Sequence, residues 1–322
     1  MLRTTGRTNG TPARRTWPGG VSPSPYGGVS QRSGGAGARQ ALQLVAAARL
    51  ACMDELERKR AVLRRELEGA GRVMVAFSGG ADSAFLLAAA VEVLGKRVVA
   101  ATGVSPSLAA AELEDARALA VELGVRHLCV PTHEGERPGY LRNGPERCYF
   151  CKDELFGVLG PLAELEGLAL AVGTNLDDLG DWRPGQRAAA EHGVLAPLVA
   201  AGFSKAEVRE ASRRMGVRTH DKPAAACLAS RVAYGIQVTP PRLSRIERAE
   251  ALLRSFGLAE LRVRDHGELA RVEVPVEWLP RLVEGELRER LTAGLRELGF
   301  SFVTLDLEGF RSGSMNASLG RP

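Results

Sequence analysis

The spacing of apolar residues changes in blocks along the chain. From Gln43 to Glu68, Val45, Cys52, Leu56, Leu63 and Leu67 recur at alternating steps of seven and four, one face of a helix. Gly69-Ala70-Gly71 closes it, and Val73–Phe77 is an unbroken apolar run of the kind a buried strand shows. The amphipathic stretch Ala84–Leu94 reads as a helix, Arg97–Val104 as a strand, Ala109–Leu123 as a helix stopped by Gly124, and Arg126–Pro131 as a strand. Residues 132–147 are loop-like. Lys152–Leu165 is helical, Leu168–Gly173 a strand, a helix begins near Pro184, and Ser204–Met215 is a helix running into Gly216. Strands alternating with helices at this spacing predict an α/β fold with a doubly wound parallel sheet. Ligands bind beyond the carboxyl ends of such strands, where Ser78–Ser83, Thr102–Ser105 and Gly173–Asp178 fall.

Residues 217–239 have little periodicity, and from Pro240 the pattern changes. Arg242–Phe256 reads as a helix, Leu261–Arg264 and Ala270–Val274 as a hairpin, Leu279–Leu298 as a helix and Phe300–Leu307 as a final strand. This predicts a smaller C-terminal α+β domain. The expected division is a leader over 1–40, an α/β domain over 41–223 and the α+β domain over 224–316.

Composition alters this picture only at the N-terminus. With 322 residues, 25% charged and 45% hydrophobic, the chain has room for about two globular domains and no run of 18 apolar residues, so no membrane span is expected. The net charge of +5 belongs to residues 1–39, which hold six Arg and no acid. The remainder is close to neutral, which argues against a nucleic-acid-binding core. The leader, rich in Gly, Ser, Pro, Thr and Arg, is expected to be disordered. It fits an organelle transit peptide or an over-extended start equally, and without an apolar core segment it does not indicate secretion. Five Cys, an odd number, point to reduced thiols with chemical or metal roles rather than a disulfide framework. Cys52 and Cys129, on apolar element faces, are expected to be buried packing residues.

Three stretches carry chemistry. In Phe77-Ser78-Gly79-Gly80-Ala81-Asp82-Ser83 a strand turns through two glycines into a helix, which aims backbone N–H groups and the helix dipole at one spot. No Walker Lys follows Gly80 and the dinucleotide glycine fingerprint is absent. What remains suits phosphate, with a carboxylate, Asp82, for Mg²⁺. In Gly173-Thr174-Asn175-Leu176-Asp177-Asp178, continuing to Asp181-Trp182-Arg183-Pro184-Gly185, three carboxylates at the ligand edge can hold Mg²⁺ or orient a nucleophile, and Arg183 can pair with an anion. Arg147-Cys148-Tyr149-Phe150-Cys151-Lys152 puts a C-x-x-C at a helix start between two cations, a setting that lowers thiol pKa. Cys227 sits in a small-residue loop between Lys222 and Arg231. Three such thiols are an incomplete Fe–S ligand set; zinc with His133 or His220 as fourth ligand is the alternative.

In combination these stretches, with Val104-Ser105-Pro106-Ser107, Cys227-Leu228-Ala229-Ser230-Arg231 and Val263-Arg264-Asp265-His266-Gly267, resemble the LarE family of the PP-loop ATP pyrophosphatases, from about residue 45 to 316. These are ATP-dependent sulfur transferases of lactate racemase maturation. The resemblance implies a PP-loop domain that splits ATP to AMP and pyrophosphate and adenylates a carboxylate of a pyridinium dicarboxylate mononucleotide. A protein sulfur then displaces AMP, toward the nickel-pincer nucleotide. Some members sacrifice the sulfur of one Cys at the position of Cys227. Others have three Cys, as here, and the expectation is a [4Fe–4S] cluster on Cys148, Cys151 and Cys227.

The resemblance also implies pyrophosphate binding by Ser78, Gly79, Gly80 and Ser83. Asp82, Asp177 and Asp178 would hold Mg²⁺, and Thr102, Gly173 and Asn175 would complete the nucleotide site. Arg183, Arg231, Arg262 and Arg264 are the expected contacts to substrate anions, with Glu250 and Glu273 near the sulfur. It further implies a cytoplasmic homo-oligomer working with other nickel-pincer maturation enzymes, without nucleic acid or membrane. A PP-loop tRNA thiolase, a PP-loop amidotransferase and a non-catalytic zinc or nucleotide-binding module are the competing readings.

Overall fold

The sheet that organises the chain is built from four short strands whose carboxyl ends share one edge. The computed structural model describes residues 54–180, 184–223, 226–311 and 314–315. The leader, the start of the first helix, Cys52 and the stretch Asp181–Arg183 lie outside the described residues. Helix α1 (Glu55–Ala70) starts at Asp54, whose Oδ1 accepts the Glu57 amide proton at 2.8 Å. It buries Leu56, Leu63 and Leu67, the residues of the seven-and-four pattern. Strand β1 (Val73–Ala76) leads to α2 (Ala81–Leu94), followed by β2 (Val98–Val104), α3 (Ala110–Glu122) and β3 (Arg126–Pro131). Then come α4 (Pro138–Leu141), α5 (Arg147–Leu165), β4 (Ala169–Val172), α6 (Leu176–Gly180), α7 (Pro184–Glu191), α8 (Pro197–Ala200) and α9 (Lys205–Arg214).

The strand order is β3-β2-β1-β4, all parallel. One face packs Phe77, Phe85, Leu119, Phe203 and Val208 against α1, α2, α3 and α9, and the other packs Met74, Val99, Leu159 and Ala163 under α5. Helices on both faces give the expected doubly wound α/β sheet, and strand order reverses between β1 and β4. That crevice is where such folds bind ligands.

The second sheet has the order β5-β6-β7. Strands β5 (Arg262–Asp265) and β6 (Leu269–Glu273) form the expected antiparallel hairpin, and β7 (Phe302–Leu305) joins β6 in parallel. Helices α10 (Pro240–Ser255), α11 (Leu279–Leu282) and α12 (Gly285–Glu297) belong to this part, where Leu253, Leu261, Leu291, Leu295 and Phe300 form its core. A third apolar cluster spans Tyr140, Leu228, Val232, Val238, Leu243 and Ile246, with Phe150 and Cys151 packed against it. It joins the C-x-x-C helix to the segment that follows Cys227.

Three local expectations change. Helix α5 begins at Arg147, five residues before Lys152, so Cys148 and Cys151 lie in its opening turns. The helix expected over Leu279–Leu298 is broken before Gly285, whose φ of +55° an ordinary residue adopts at a cost. Cys129 is exposed, not buried, because β3 is the edge strand and none of its positions is fully buried. Among the described residues no helix is long and apolar enough to cross a membrane.

Candidate active site at the sheet switch point

The turn after β1 is held by its own hydroxyls. Ser83 Oγ donates to the Gly80 carbonyl at 3.1 Å and accepts from the Ser78 amide at 3.3 Å. With the Ser83 proton so committed, Ser78 Oγ is the donor across their 3.2 Å contact. Gly79 needs to be glycine, since its φ is +72° and a Cβ there would stand 3.2 Å from that of Ala116. Thr102, one of the expected nucleotide-site residues, is buried beneath the turn. Its hydroxyl donates to the Phe77 carbonyl at 2.6 Å, so His127 Nε2, 2.7 Å away, donates to it in turn.

The acidic stretch after β4 closes on this turn. A Cβ on Gly173 would lie 2.7 Å from the Ser83 nitrogen, so its role is close backbone approach. Buried Asn175 accepts the Asp177 and Asp178 amide protons on Oδ1, at 3.0 and 3.3 Å. Asp178 is buried and accepts the Asn175 amide proton, while Asp177 Oδ2 accepts that of Lys205 at the start of α9. Asp82, in the first turn of α2, and Asp177 and Asp178, in α6, thus flank the switch point. Mg²⁺ characteristically takes one or two carboxylates together with substrate phosphates, and this donor set fits it. Arg183 lies outside the described residues. The adjoining helix α7 packs on α5 at Gly185, where a Cβ would stand 2.7 Å from Lys152 Cγ and 3.4 Å from the Cys148 carbonyl oxygen.

Cys227 is brought to the same edge of the sheet. The Leu228 amide donates to the Ser107 carbonyl, just past β2, at 2.8 Å. Cys148, Cys151 and Cys227 are close enough that ionising one opposes ionising another. Against expectation, the helix start and the flanking cations do not depress Cys148 or Cys151. Cys148 is raised by lost solvation at its thiol and then by Cys227, although the residue as a whole is exposed, and burial pushes the half-buried Cys151 up to about 12 against the opposing pull of Lys152.

Among the described residues no group of three His, Cys, Asp or Glu side chains could hold a single metal ion, so the zinc alternative with His133 or His220 has no assembled site. A single ion requires all its ligands at one short radius, whereas the irons of a cluster are spread and their thiols stand further apart. The three soft donors fit a cluster.

Around Cys227 stand the arginines. Arg231 is buried, with Nε 3.0 Å from Glu250 Oε1 and one terminal nitrogen donating to the Cys227 carbonyl at 3.0 Å. Arg264 pairs with Glu273 at 2.8 Å and donates to the Ser230 carbonyl at 3.2 Å. Arg262 is lowered to about 10, first by burial and then by the positive charge of Arg231. Glu250 and Glu273 are fully buried as the partners of these cations.

Sequence reasoning missed a buried polar network beside the thiols. Glu134 Oε1 accepts from Ser105 at 2.5 Å and from Ser107 at 2.6 Å, and the Tyr140 hydroxyl donates to Ser107 at 2.9 Å. Burial and then the nearby Cys227 raise the Tyr140 pKa, so this hydroxyl keeps its proton. Glu134 and Tyr140 lay in the stretch read as loop-like, with no periodicity to mark them. Asn143 was missed too, although Asn143-Gly144 is a known signal for a left-handed backbone position.

No family model matches the chain. An uncharacterised protein of Synechocystis sp. is 44% identical over 265 residues, covering 82% of this chain and 99% of the relative. The pyridinium-3,5-bisthiocarboxylic acid mononucleotide synthase of Lactiplantibacillus plantarum is 35% identical over 275 residues, 83% of this chain and 97% of that enzyme. An uncharacterised protein of Methanocaldococcus jannaschii is 31% identical over 173 residues, 53% of this chain and 67% of the relative. Coverage of nearly the whole synthase, on a chain with the expected parallel sheet, makes the conclusion direct: this protein belongs to the LarE family, with the PP-loop fold.

Proposed function

We propose that the protein is an ATP-dependent sulfur transferase acting on a pyridinium dicarboxylate mononucleotide. The observation that carries the reading is the meeting, at one sheet edge, of the Ser78–Ser83 turn with Cys227, tied there by the Leu228–Ser107 hydrogen bond. The relative's name supplies the substrate class, a pyridinium-3,5-bisthiocarboxylic acid mononucleotide being that synthase's product.

In the first step a substrate carboxylate oxygen attacks the α-phosphorus of ATP and pyrophosphate leaves. Amides and hydroxyls of Ser78, Gly79, Gly80 and Ser83 hold the departing phosphates. One or two of the carboxylates Asp82, Asp177 and Asp178, together with the ATP phosphates, would hold Mg²⁺, which neutralises phosphate charge when bound. Arg231, Arg262 and Arg264 orient the substrate's phosphate and carboxylates, and an anion beside Arg262 would offset the crowding of cations that lowers it. In the second step sulfur forms a bond to the activated carbonyl carbon, the bond to AMP breaks, and the sulfur's proton is released. Carboxylate is a poor electrophile and its adenylate a good one, which is why ATP and a thiol belong in one site.

Cys148, Cys151 and Cys227 would hold a [4Fe–4S] cluster, which supplies a binding point for exogenous sulfide. The presence of all three thiols, a C-x-x-C pair besides Cys227, favours this over sacrifice of Cys227 alone. A cytoplasmic homo-oligomer handing its product to other nickel-pincer maturation enzymes completes the proposal.

The test incubates iron-reconstituted protein with ATP, Mg²⁺ and the pyridinium mononucleotide, then measures AMP, pyrophosphate, thiolated product and the mass of the Cys227 peptide. Several turnovers with Cys227 intact are expected. Loss of the elements of H₂S from Cys227 would overturn the cluster route. No AMP on adding substrate would overturn the enzyme reading.

A further inference from the structure

We propose that Asn143 is the positioning residue that sets the distance between the Cys148–Cys151 pair and Cys227. The inference rests on the sulfur-transfer reading for its purpose, but its geometry stands alone. Asn143 is fully buried and, among the described residues, is the one non-glycine with a positive φ, 52°. Asn enters that region more readily than other residues with a Cβ, because its short amide bonds locally.

Its Nδ2 does not bond locally here. Nδ2 faces the carbonyls of Val232 at 3.2 Å, Ala233 at 2.9 Å and Ile236 at 2.9 Å, and the Asn143 carbonyl accepts the Gly235 amide proton at 3.2 Å. All of these groups lie just after the Cys227–Arg231 turn. Oδ1 accepts from the guanidinium of buried Arg147, the residue next to Cys148. One amide therefore ties the start of the C-x-x-C helix to the segment carrying Cys227.

Other attachments of that segment run to the two sheets, to α4 and to the Arg147 guanidinium. The Leu228 amide goes to Ser107 at the end of β2, and the Ala233 amide goes to the Asp265 carbonyl in β5, at 2.9 Å. Those bonds fix the segment to the two sheets; the Val238 amide ties it to the Leu141 carbonyl in α4 at 3.2 Å, and the Arg147 guanidinium of α5 lies over the Tyr234 ring at 5.8 Å, a contact that holds the separation only loosely. The apolar cluster of Tyr140, Val232 and Ile246 presses the same elements together, but such contact is non-directional and leaves a sliding freedom. The Asn143 amide, with two N–H groups shared among three carbonyls, removes that freedom.

Asn143→Gly is the informative variant, since Gly keeps the left-handed backbone and deletes only the clamp. The full-length, iron-free, reduced protein is treated with dibromobimane, which bridges only near-neighbour thiols, and bridged peptides are counted by mass spectrometry. The Cys148–Cys151 bridge forms within one helix and serves as internal control. Bridges from Cys227 to either should fall about tenfold relative to that control, the scale expected when buried hydrogen-bond partners are left unmade. Thiolated product should fall in parallel.

An unchanged bridge ratio in the folded Gly variant overturns the proposal. If that variant is not folded at the assay temperature, Asn143→Asp decides by the same ratio. It keeps the acceptor for Arg147 and loses both N–H donors, so it too should lower the Cys227 bridges, and an unchanged ratio there overturns the proposal. Wild-type protein that makes no thiolated product, beside a variant with a lowered ratio, would refute the functional reading and leave the positioning role standing.

Discussion

Adding one methyl group at Gly173 should damage both stability and nucleotide chemistry. The new Cβ of Gly173→Ala would stand 2.7 Å from the Ser83 nitrogen and 2.8 Å from both the Asp82 carbonyl carbon and the Ser83 Cα. Ordinary non-bonded contact is about 3.5–4.0 Å, so the gap must open by about 1 Å. All three neighbours are backbone atoms in the first turn of α2, and Gly173 follows β4, which is paired with β1 along its length. No side chain can rotate out of the way. Overpacking of this kind costs about 1–3 kcal/mol, and a displacement near 1 Å between reacting groups can cost about a hundredfold in rate. The urea midpoint should therefore fall with an unchanged slope, and substrate-dependent AMP formation should drop by about two orders of magnitude. Gly157→Ala in α5 is the control. Its Cβ would meet only His192 Cε1, at 3.9 Å, and helix propensity should give back about 0.5–1 kcal/mol. A Gly173→Ala protein with the wild-type midpoint and wild-type ATP affinity by calorimetry would refute the close-approach reading.

Two further outcomes follow from buried charge. His127 is lowered by burial, and then by Arg117, so the native state favours its neutral form. The stability it contributes is fully present above its unfolded value near 6.5 and is lost as pH falls through the lower folded value. The difference in unfolding free energy between wild type and His127→Gln, measured from pH 7.5 to 5.0, should shrink on acidification; a difference that grows would contradict the sign. Separately, Arg231→Met leaves Glu250 buried without its closest cation, with the half-exposed Arg254 at 3.2 Å and the nearby Arg262 remaining, and should cost about 3 kcal/mol or more. Adding Glu250→Leu should recover most of that loss in urea unfolding, and a double variant as weak as the single one would show that the pair's charge is not the cause.

The sequence by itself determined the alternation of strands and helices, the phosphate-type turn at Ser78–Ser83 and the identity of the three thiols. These are local properties. A hydrophobic period, a Gly-Gly turn or a C-x-x-C is complete within a few residues, and the physics that fixes it acts over the same range. Even there, element boundaries moved, since the start of α5 at Arg147 and the break before Gly285 depend on turns that apolar spacing does not mark.

Only the tertiary structure decided what surrounds the thiols. Cys227 and Cys151 are 76 positions apart, and neither announces in sequence that a Leu228–Ser107 bond and an Asn143 amide bring their segments together. Flanking charges argued for depressed thiol pKa values, yet burial wins at Cys151 because desolvation depends on everything packed around a group, not on its chain neighbours. Cys129 lay in an apolar run but stands exposed, since a strand's place at the centre or edge of a sheet is a property of the whole sheet. Arg231 and Arg264 could be read only as charges. Their burial against Glu250 and Glu273 exists once α10 and the β5–β6 hairpin fold against the Cys227 turn. Local chemistry told which groups this protein uses; long-range packing set their distances, their protonation and hence what they can do together.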